Sequence, residues 1–315
     1  MAEILVADQA GVARAAALLQ AGELVGLPTE TVYGLAADAR NPDAVARVFA
    51  AKARPGFNPL IVHVADLASA ERIAVLPPEA RRLADAFWPG PLTMVLSLRD
   101  GHGLADLVSA GLATVAVRMP AHPVMRAVLA AFGGPVAAPS ANPSGRISPT
   151  TVAHVLTGLG DRIAAVLDGG ECAVGLESTI VAPGPKPRLL REGGVPREAI
   201  EAINGPLETD TTPGKVQAPG QLSSHYAPVA PVVMGGKAPA NAVTIGFGPG
   251  PSDLTLSPAA DLVEAAANLF AVLHKADDLA QLRKAPSIWV ADIPDHGLGR
   301  AINDRLRRAA APRSA

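Results

Sequence analysis

Apolar positions at helical spacing run through residues 11–22, and Gly22 stands where such a helix would end in a C-cap. Residues 24–28 follow as a short apolar run, read as a buried strand that Pro28 ends by removing a donor. Asn41-Pro42-Asp43 reads as a helix start, with Ala44, Val45, Val48 and Phe49 spaced along one apolar side. The same reading places strands over 60–64, 92–98, 114–118, 136–138, 164–167 and 178–181, and helices over 78–87 and 123–131. Strands alternating with helices predict an α/β domain built on a twisted mixed sheet with flanking helices.

From 183 to 231 the pattern loosens. Pro and Gly recur, broken by one short helical piece near 197–203, and the stretch reads as a linker. Beyond it come a strand over 242–246, a helix over 259–273, a strand over 288–290 and an Arg-rich helix over 299–309. That order predicts a second, smaller, Rossmann-like α/β domain. The expected division is 1–205, a linker over 206–230, and 231–315.

Composition narrows the class. Of 315 residues 49% are apolar and 18% charged, enough to bury two cores rather than remain disordered. A net charge of −2 gives no general pull on nucleic acid, so any RNA contact would come from a local patch. The single cysteine, Cys172, can form neither an internal disulfide nor a Cys-rich zinc site. The first residues lack the basic start and apolar stretch of a signal peptide, and no apolar run approaches the ~20 residues of a membrane span. A cytoplasmic protein with no membrane contact is expected.

Several segments could carry chemistry. Pro28-Thr29-Glu30-Thr31-Val32-Tyr33-Gly34 puts hydroxyls and a carboxylate directly after a buried strand, where α/β folds place ligand loops. It reads equally as a Thr-rich turn capping its own backbone. Lys52 and Arg54 lie at a helix end before a Pro/Gly loop that includes Asn58. They could clasp a polyphosphate, or simply complement the helix C-terminus. His63 in an apolar strand is either a satisfied core residue or a ligand. Arg118, at the end of the strand that opens with Thr114, needs an anionic partner, either a substrate carboxylate or an internal acid.

The loop from Ala138 through Pro139, Ser140, Ala141, Asn142 and on to Ser148 offers small hydroxyls and an amide on a proline-stiffened backbone. Ser178 and Arg191 lie in segments readable as strand edges, although Arg191 could close an anion site. His225-Tyr226 lies within the linker, either as a cover for a ligand or as a plain hinge. No P-loop, strand-borne G-x-G-x-x-G, H-E-x-x-H or G-x-S-x-G pattern occurs, so standard nucleotide cradles, zinc proteases and nucleophile elbows find no support.

Taken together and in this order, these segments resemble the threonylcarbamoyl-AMP synthase family, whose core is the YrdC-like domain. The resemblance spans roughly residues 8–200, and the remainder, with His225-Tyr226-Ala227-Pro228 and the closing 297–302 segment, is similar to the longer two-domain form. It implies a linker folded over the active site. It also implies a reaction in which L-threonine and bicarbonate form a carbamate that attacks the α-phosphorus of ATP and expels pyrophosphate, the first step of tRNA N6-threonylcarbamoyladenosine formation. Carried onto this chain, the resemblance gives Thr31, His63, Arg118, Ala138 and Ser178 to threonine, with Ala138 acting through its backbone. Lys52, Arg54, Asn58, Thr114, Ser140, Asn142, Ser148, Arg191 and His225 would hold ATP, Lys52 and Arg54 also serving catalysis. Mg²⁺ would ride mainly on the ATP phosphates, with no metal ligands from the protein. The implied partners are a downstream threonylcarbamoyl transferase complex and, at most weakly, tRNA. Two readings compete: an RNA-binding module without catalysis, and a carbamoyl transferase with another acceptor.

Overall fold

The computed structural model describes residues 1–209 and 224–312. Strand β1 (Glu3–Val6) precedes helix α1 (Gln9–Gln20), whose N-terminus is capped by the Asp8 carboxylate accepting from the Gly11 amide. The antiparallel pair β2 (Val25–Leu27) and β3 (Gly34–Asp38) brackets the Thr-rich turn. Helix α2 (Pro42–Lys52) is started by the Asn41 side chain and Pro42, and Ala53 closes it in the left-handed conformation. Then follow β4 (Ile61–His63), α3 (Leu67–Ile73), α4 (Pro78–Phe87), β5 (Leu92–Ser97), α5 (Asp106–Ser109) and β6 (Thr114–Arg118). Next come α6 (Pro123–Phe132), β7 (Val136–Ala137), α7 (Val152–Leu159), β8 (Ala165–Asp168) and β9 (Thr179–Ala182). The last elements of this half are β10 (Arg188–Arg191), α8 (Arg197–Asn204) and β11 (Glu208–Thr209).

These eleven strands form one mixed sheet in the order β1-β8-β2-β3-β7-β4-β6-β5-β9-β10-β11. Side chains alternate between its faces. On one face Leu60, Val62, Met94, Val115 and Val117 join the main core with Val45 and Val48 of α2 and Leu83 of α4. On the other, α1 and α6 bury Leu19, Met125, Val128 and Leu129 against β2, β3, β7 and β8. Farther along that second face Ile61, Val95, Ala116, Ile180 and Leu190 form a small separate cluster. His63 and Arg118 follow Ile61 and Ala116 at the two-residue spacing that keeps them on this face.

The second domain is a four-stranded parallel sheet in the order β12-β15-β13-β14, made by β12 (Val232–Met234), β13 (Val243–Gly246), β14 (Leu254–Thr255) and β15 (Ile288–Val290). Helices α9 (Leu262–Arg283) and α10 (Leu298–Ala310) cover it. Its core reaches across to Val32, Ile147 and Leu176 of the first domain, so the two halves share one apolar seam.

Sequence reading and structure differ in three places. The span after 183 is not linker throughout, because β10 and β11 continue the first sheet and pair with each other in parallel. The helix read over 259–273 begins later, after the Asp261 cap, and runs on to Arg283 because Ala276, Asp277 and Ala280 stay buried. Residues 210–223, the middle of the expected linker, lie outside the described residues.

Candidate functional site

The pocket opens on the part of the sheet face floored by Ile61, His63 and Arg118. Thr29, Thr31, Val32 and Gly34 from the first turn, Ala138 to Ser140 from the loop after β7, and Glu177, Ser178 and Arg191 form its walls. His225 and Tyr226 close it from the strap that leads into the second domain. Free space is about 50 Å³, far below the ~300–1,000 Å³ of a site that encloses a drug-sized ligand. A ligand of that size would not fit the recess as it stands.

The turn before β3 serves structure and site at once. The Thr29 hydroxyl accepts from the Thr31 and Val32 amides and donates to the Val32 carbonyl, the self-capping arrangement of a Thr-rich turn. The Thr31 hydroxyl instead meets Arg118, accepting from one guanidinium nitrogen at 2.9 Å. A second nitrogen binds the Glu30 carboxylate at 2.6 Å, and Nε donates to the Gly90 carbonyl. The internal acid that Arg118 needs is thus Glu30. Burial works against the Glu30 charge, but Arg118 outweighs it and holds the carboxyl below the usual range.

Two further cations, Arg54 and Arg191, belong to the pocket wall. Arg54 donates only to the Asn58 and Pro59 carbonyls among the described residues, and burial with nearby Arg191 pulls it down to about 10. Arg191 grips Ser178 through its main-chain and side-chain oxygens, while the Ser178 hydroxyl also meets Thr93. Among the described residues the pocket wall includes the guanidinium groups of Arg54, Arg118 and Arg191 and the carboxylate of Glu177. Guanidinium groups gathered in one recess can take part in holding an anion.

Of the residues anticipated from sequence, Thr31, Arg54, His63, Arg118, Ala138, Ser140, Ser178, Arg191 and His225 line this one pocket. The others sit apart from it. Lys52 does not line the pocket; its ammonium donates to the Ser140 and Asn142 carbonyls, and burial drives its pKa well down. It ties α2 to the 140–142 loop. Asn142 gives its amide to the Pro143 and Arg146 carbonyls, and the Ser148 hydroxyl is held by Glu177. Asn58 is fully buried with both side-chain polar atoms unpartnered among the described residues, an arrangement that favours a ligand over packing. Thr114 shares the sheet face of Arg118 but stands at the far end of β6, in a second groove with Val95 and Arg188.

Sequence reasoning read Tyr226 with His225 as a possible ligand cover, and it did not single out Glu177, which precedes Ser178. Arg305, one turn from the end of α10, was not singled out at all. It reaches the Glu177 carboxylate with Nε at 2.9 Å and lies 5.2 Å over the Tyr226 ring. Its partner is 128 positions away in the chain, a separation that no local pattern encodes.

His63 is buried with Nδ1 unpartnered among the described residues, unlike a satisfied core histidine. Burial above all, with neighbouring cations adding, pulls both His63 and His225 down to about 3. Both rings are therefore neutral donors or acceptors at neutral pH. An unfolded histidine titrates near ~6.5, so below that pH the unfolded chain takes up protons that the fold refuses. Stability should fall with falling pH by about 1.4 kcal/mol per unit for each ring. Denaturant unfolding at pH 7 and pH 5 should differ by roughly 3–4 kcal/mol from these two groups. Replacing both by glutamine should flatten that dependence, and equal slopes for the two proteins would refute it.

Residues 17–193 match the family described as "Telomere recombination", and residues 195–311 match the one described as "Threonylcarbamoyl-AMP synthase, C-terminal domain". The chain is 40% identical to threonylcarbamoyl-AMP synthase of Bacillus subtilis strain 168, over 96% of this chain and 93% of that one. It is 38% identical to the Pyrococcus abyssi threonylcarbamoyl-AMP synthase, over 94% of this chain and 92% of the relative. The crystal structure of Pyrococcus abyssi Sua5 complexed with L-threonine superposes with a TM-score of 0.89 at 35% identity, covering 98% of this chain and 97% of that one. A matching sheet, a matching second domain and similarity along nearly the whole length leave one assignment: this chain belongs to the threonylcarbamoyl-AMP synthase family.

Proposed function

We propose that the chain condenses L-threonine, bicarbonate and ATP into L-threonylcarbamoyladenylate and releases pyrophosphate, for onward transfer to tRNA as N6-threonylcarbamoyladenosine. The observation that carries this reading is one recess with two chemically distinct ends. At one, Arg118 is pre-oriented by Gly90, Thr31 and Glu30, beside neutral His63. This end suits an amino acid, Arg118 facing its carboxylate and Thr31, His63 and Ser178 its polar groups. At the other, Arg54, Arg191, His225 and Ser140 line the wall, a set that suits a triphosphate.

N-carboxythreonine needs no protein nucleophile, because its own carbamate oxygen attacks the α-phosphorus. A new O–P bond forms, the bond to the bridging oxygen breaks, and pyrophosphate carries away the electron pair. The protein contributes position and fixed charge: Arg54 and Arg191 face the charge developing on the leaving group. Lys52 acts at one remove by holding the loop that carries Ser140 and Asn142. Mg²⁺ on the ATP phosphates would supply further neutralisation; the carboxylate of Glu177, in the pocket wall, is engaged by Ser148 and Arg305. Water must be kept out, since carbamate and acyl-adenylate both hydrolyse, and the strap at His225-Tyr226 is placed to do so. Product passes to a threonylcarbamoyl transferase complex, and with a net charge of −2 contact with tRNA itself would be weak.

The test is pyrophosphate release by purified protein with ATP, Mg²⁺ and bicarbonate, with threonine, serine or no amino acid. Release dependent on threonine is expected, with serine much poorer. No release under any of these conditions would reject the reading, and a salt-dependent tRNA titration would then examine RNA binding without catalysis.

A further inference from the structure

We infer that Thr93, a residue of β5 beneath the wall of the recess, is a positioning residue: it donates to Ser178 and so fixes the Ser178 hydroxyl as a donor toward a negatively charged oxygen of the substrate. The role of Ser178 toward threonine rests on the function proposed above; the polarity of the pair rests on the contacts of the two hydroxyls.

Thr93 stands opposite Ile180 in the β5–β9 pair, and its two-residue spacing from Val95 puts it on the sheet face of the cluster that holds Ile61, Val95 and Ile180. Ser178, just before β9, lines the recess, whereas Thr93 is not part of its wall. The two hydroxyl oxygens are 2.7 Å apart, a geometry that allows either one to donate.

The number of partners decides between them. Thr93 is fully buried, and Ser178 is the sole partner of its hydroxyl among the described residues. Were Ser178 the donor, the Thr93 hydrogen would be sealed in the interior without an acceptor, at the full desolvation cost of an unmade bond. With Thr93 as the donor that cost vanishes. Ser178 Oγ then accepts from Thr93 and also from a terminal nitrogen of Arg191 at 3.1 Å. A serine hydroxyl has two lone pairs and one hydrogen. Both lone pairs are thereby taken, and the hydrogen is what Ser178 offers to the recess. A hydroxyl set in this way favours a group that only accepts, such as a carboxylate or carbamate oxygen, over an ammonium, which only donates. The α-carboxylate of threonine supplies such an oxygen, and so does its nitrogen once carboxylated.

The experiment is calorimetric titration of the full chain with L-threonine, with and without bicarbonate, beside pyrophosphate release with threonine and ATP varied separately. Thr93→Val keeps the shape and loses the hydroxyl. It should weaken threonine binding about fivefold and raise KM for threonine, with KM for ATP within about twofold and Tm within about 3 °C of the parent. Thr93→Ser keeps the donor and should bind threonine within about twofold of the parent. Combined with Ser178→Ala, Thr93→Val should add no further loss, because no hydroxyl is left to orient. Thr93→Cys, a weak donor, should fall between the serine and valine variants, and it serves if the valine variant does not fold. A loss present without bicarbonate puts the accepting oxygen on the α-carboxylate; a loss confined to bicarbonate puts it on the carbamate. Unchanged or tighter threonine binding by Thr93→Val would overturn the proposal, since a bond donated by Ser178 to Thr93 predicts that result. So would a serine variant as weak as the valine one, a loss shared equally by threonine and ATP, or losses that add in the double variant. If the parent binds threonine but releases no pyrophosphate, the proposed function fails while the titrations still decide the role of Thr93; if it binds no threonine under either condition, both fall.

Discussion

Arg118→Leu should reduce kcat/KM for threonine by about a thousandfold, the largest loss expected of any single side chain in the pocket. The residue is buried at the end of β6 and reaches three elements at once, through Gly90, Thr31 and Glu30. Its removal takes away the cation that would face the amino acid carboxylate, and it also leaves Glu30 buried without its partner. Breaking such a pair costs about 3–5 kcal/mol, so a melting curve must accompany the kinetics. The double variant Arg118→Leu/Glu30→Gln separates the two effects: it should recover much of the stability and none of the activity. If Arg118→Leu retained kcat/KM within threefold of the parent, or if the double variant recovered turnover, the assignment of this end to threonine would be wrong.

Gly175→Val should part the two domains. Gly175 has φ of +67°, and a Cβ there would lie 2.3 Å from the Ala267 carbonyl oxygen, 2.5 Å from its Cα and 2.6 Å from the Ala266 oxygen. All three are main-chain atoms of α9, which cannot turn aside as a side chain would. The left-handed conformation adds ~1–2 kcal/mol for a residue with a Cβ, and overpacking adds ~1–3 kcal/mol. Separation would expose the shared seam of Val32, Ile147 and Leu176 and draw α10, with Arg305, away from Glu177. A fall in Tm of about 10 °C is expected, with unfolding split into two steps and turnover reduced. A single transition within about 3 °C of the parent would show that the seam tolerates the added side chain.

Where pattern and physics agreed along a short stretch, the sequence could be read directly. The helix over 78–87, opened by Pro78, and the strand over 288–290 coincide with α4 and β15. Strand β3 gave no signal, because Gly34-Leu35-Ala36-Ala37-Asp38 holds none of the β-branched or aromatic residues that mark a strand. Gly34 is there for closeness: a Cβ would come within 3.1 Å of the Ala138 methyl. Helix α9 outran its expected end because polar residues follow Leu273, yet Asp277 among them is buried, its carboxylate accepting from the Val229 and Ala230 amides of the strap. In the site, the need of Arg118 for an acid could be read, but not which acid. Lys52 and Arg54 look like one pair in the sequence; the turn at Ala53 aims one at loop carbonyls and the other at the pocket. Such choices are made by contacts between distant segments, and local sequence carries no record of them.

The place of β1 has a consequence for how the chain is made. Glu3 to Val6 pair in parallel with Ala165 to Asp168, and β2 takes the other side of the same strand. A ribosome working at ~5–20 residues per second needs about 8–32 s to travel from Glu3 to Ala165. Throughout that interval Ile4 and Val6 have no strand to join, while Leu5, which ends inside the core, has no core to enter. Pairings that close so long a loop come late and slow the overall rate. Strand β1 is thus made some 160 residues ahead of the strand that houses it, and in that interval a holding chaperone would find an apolar stretch to bind.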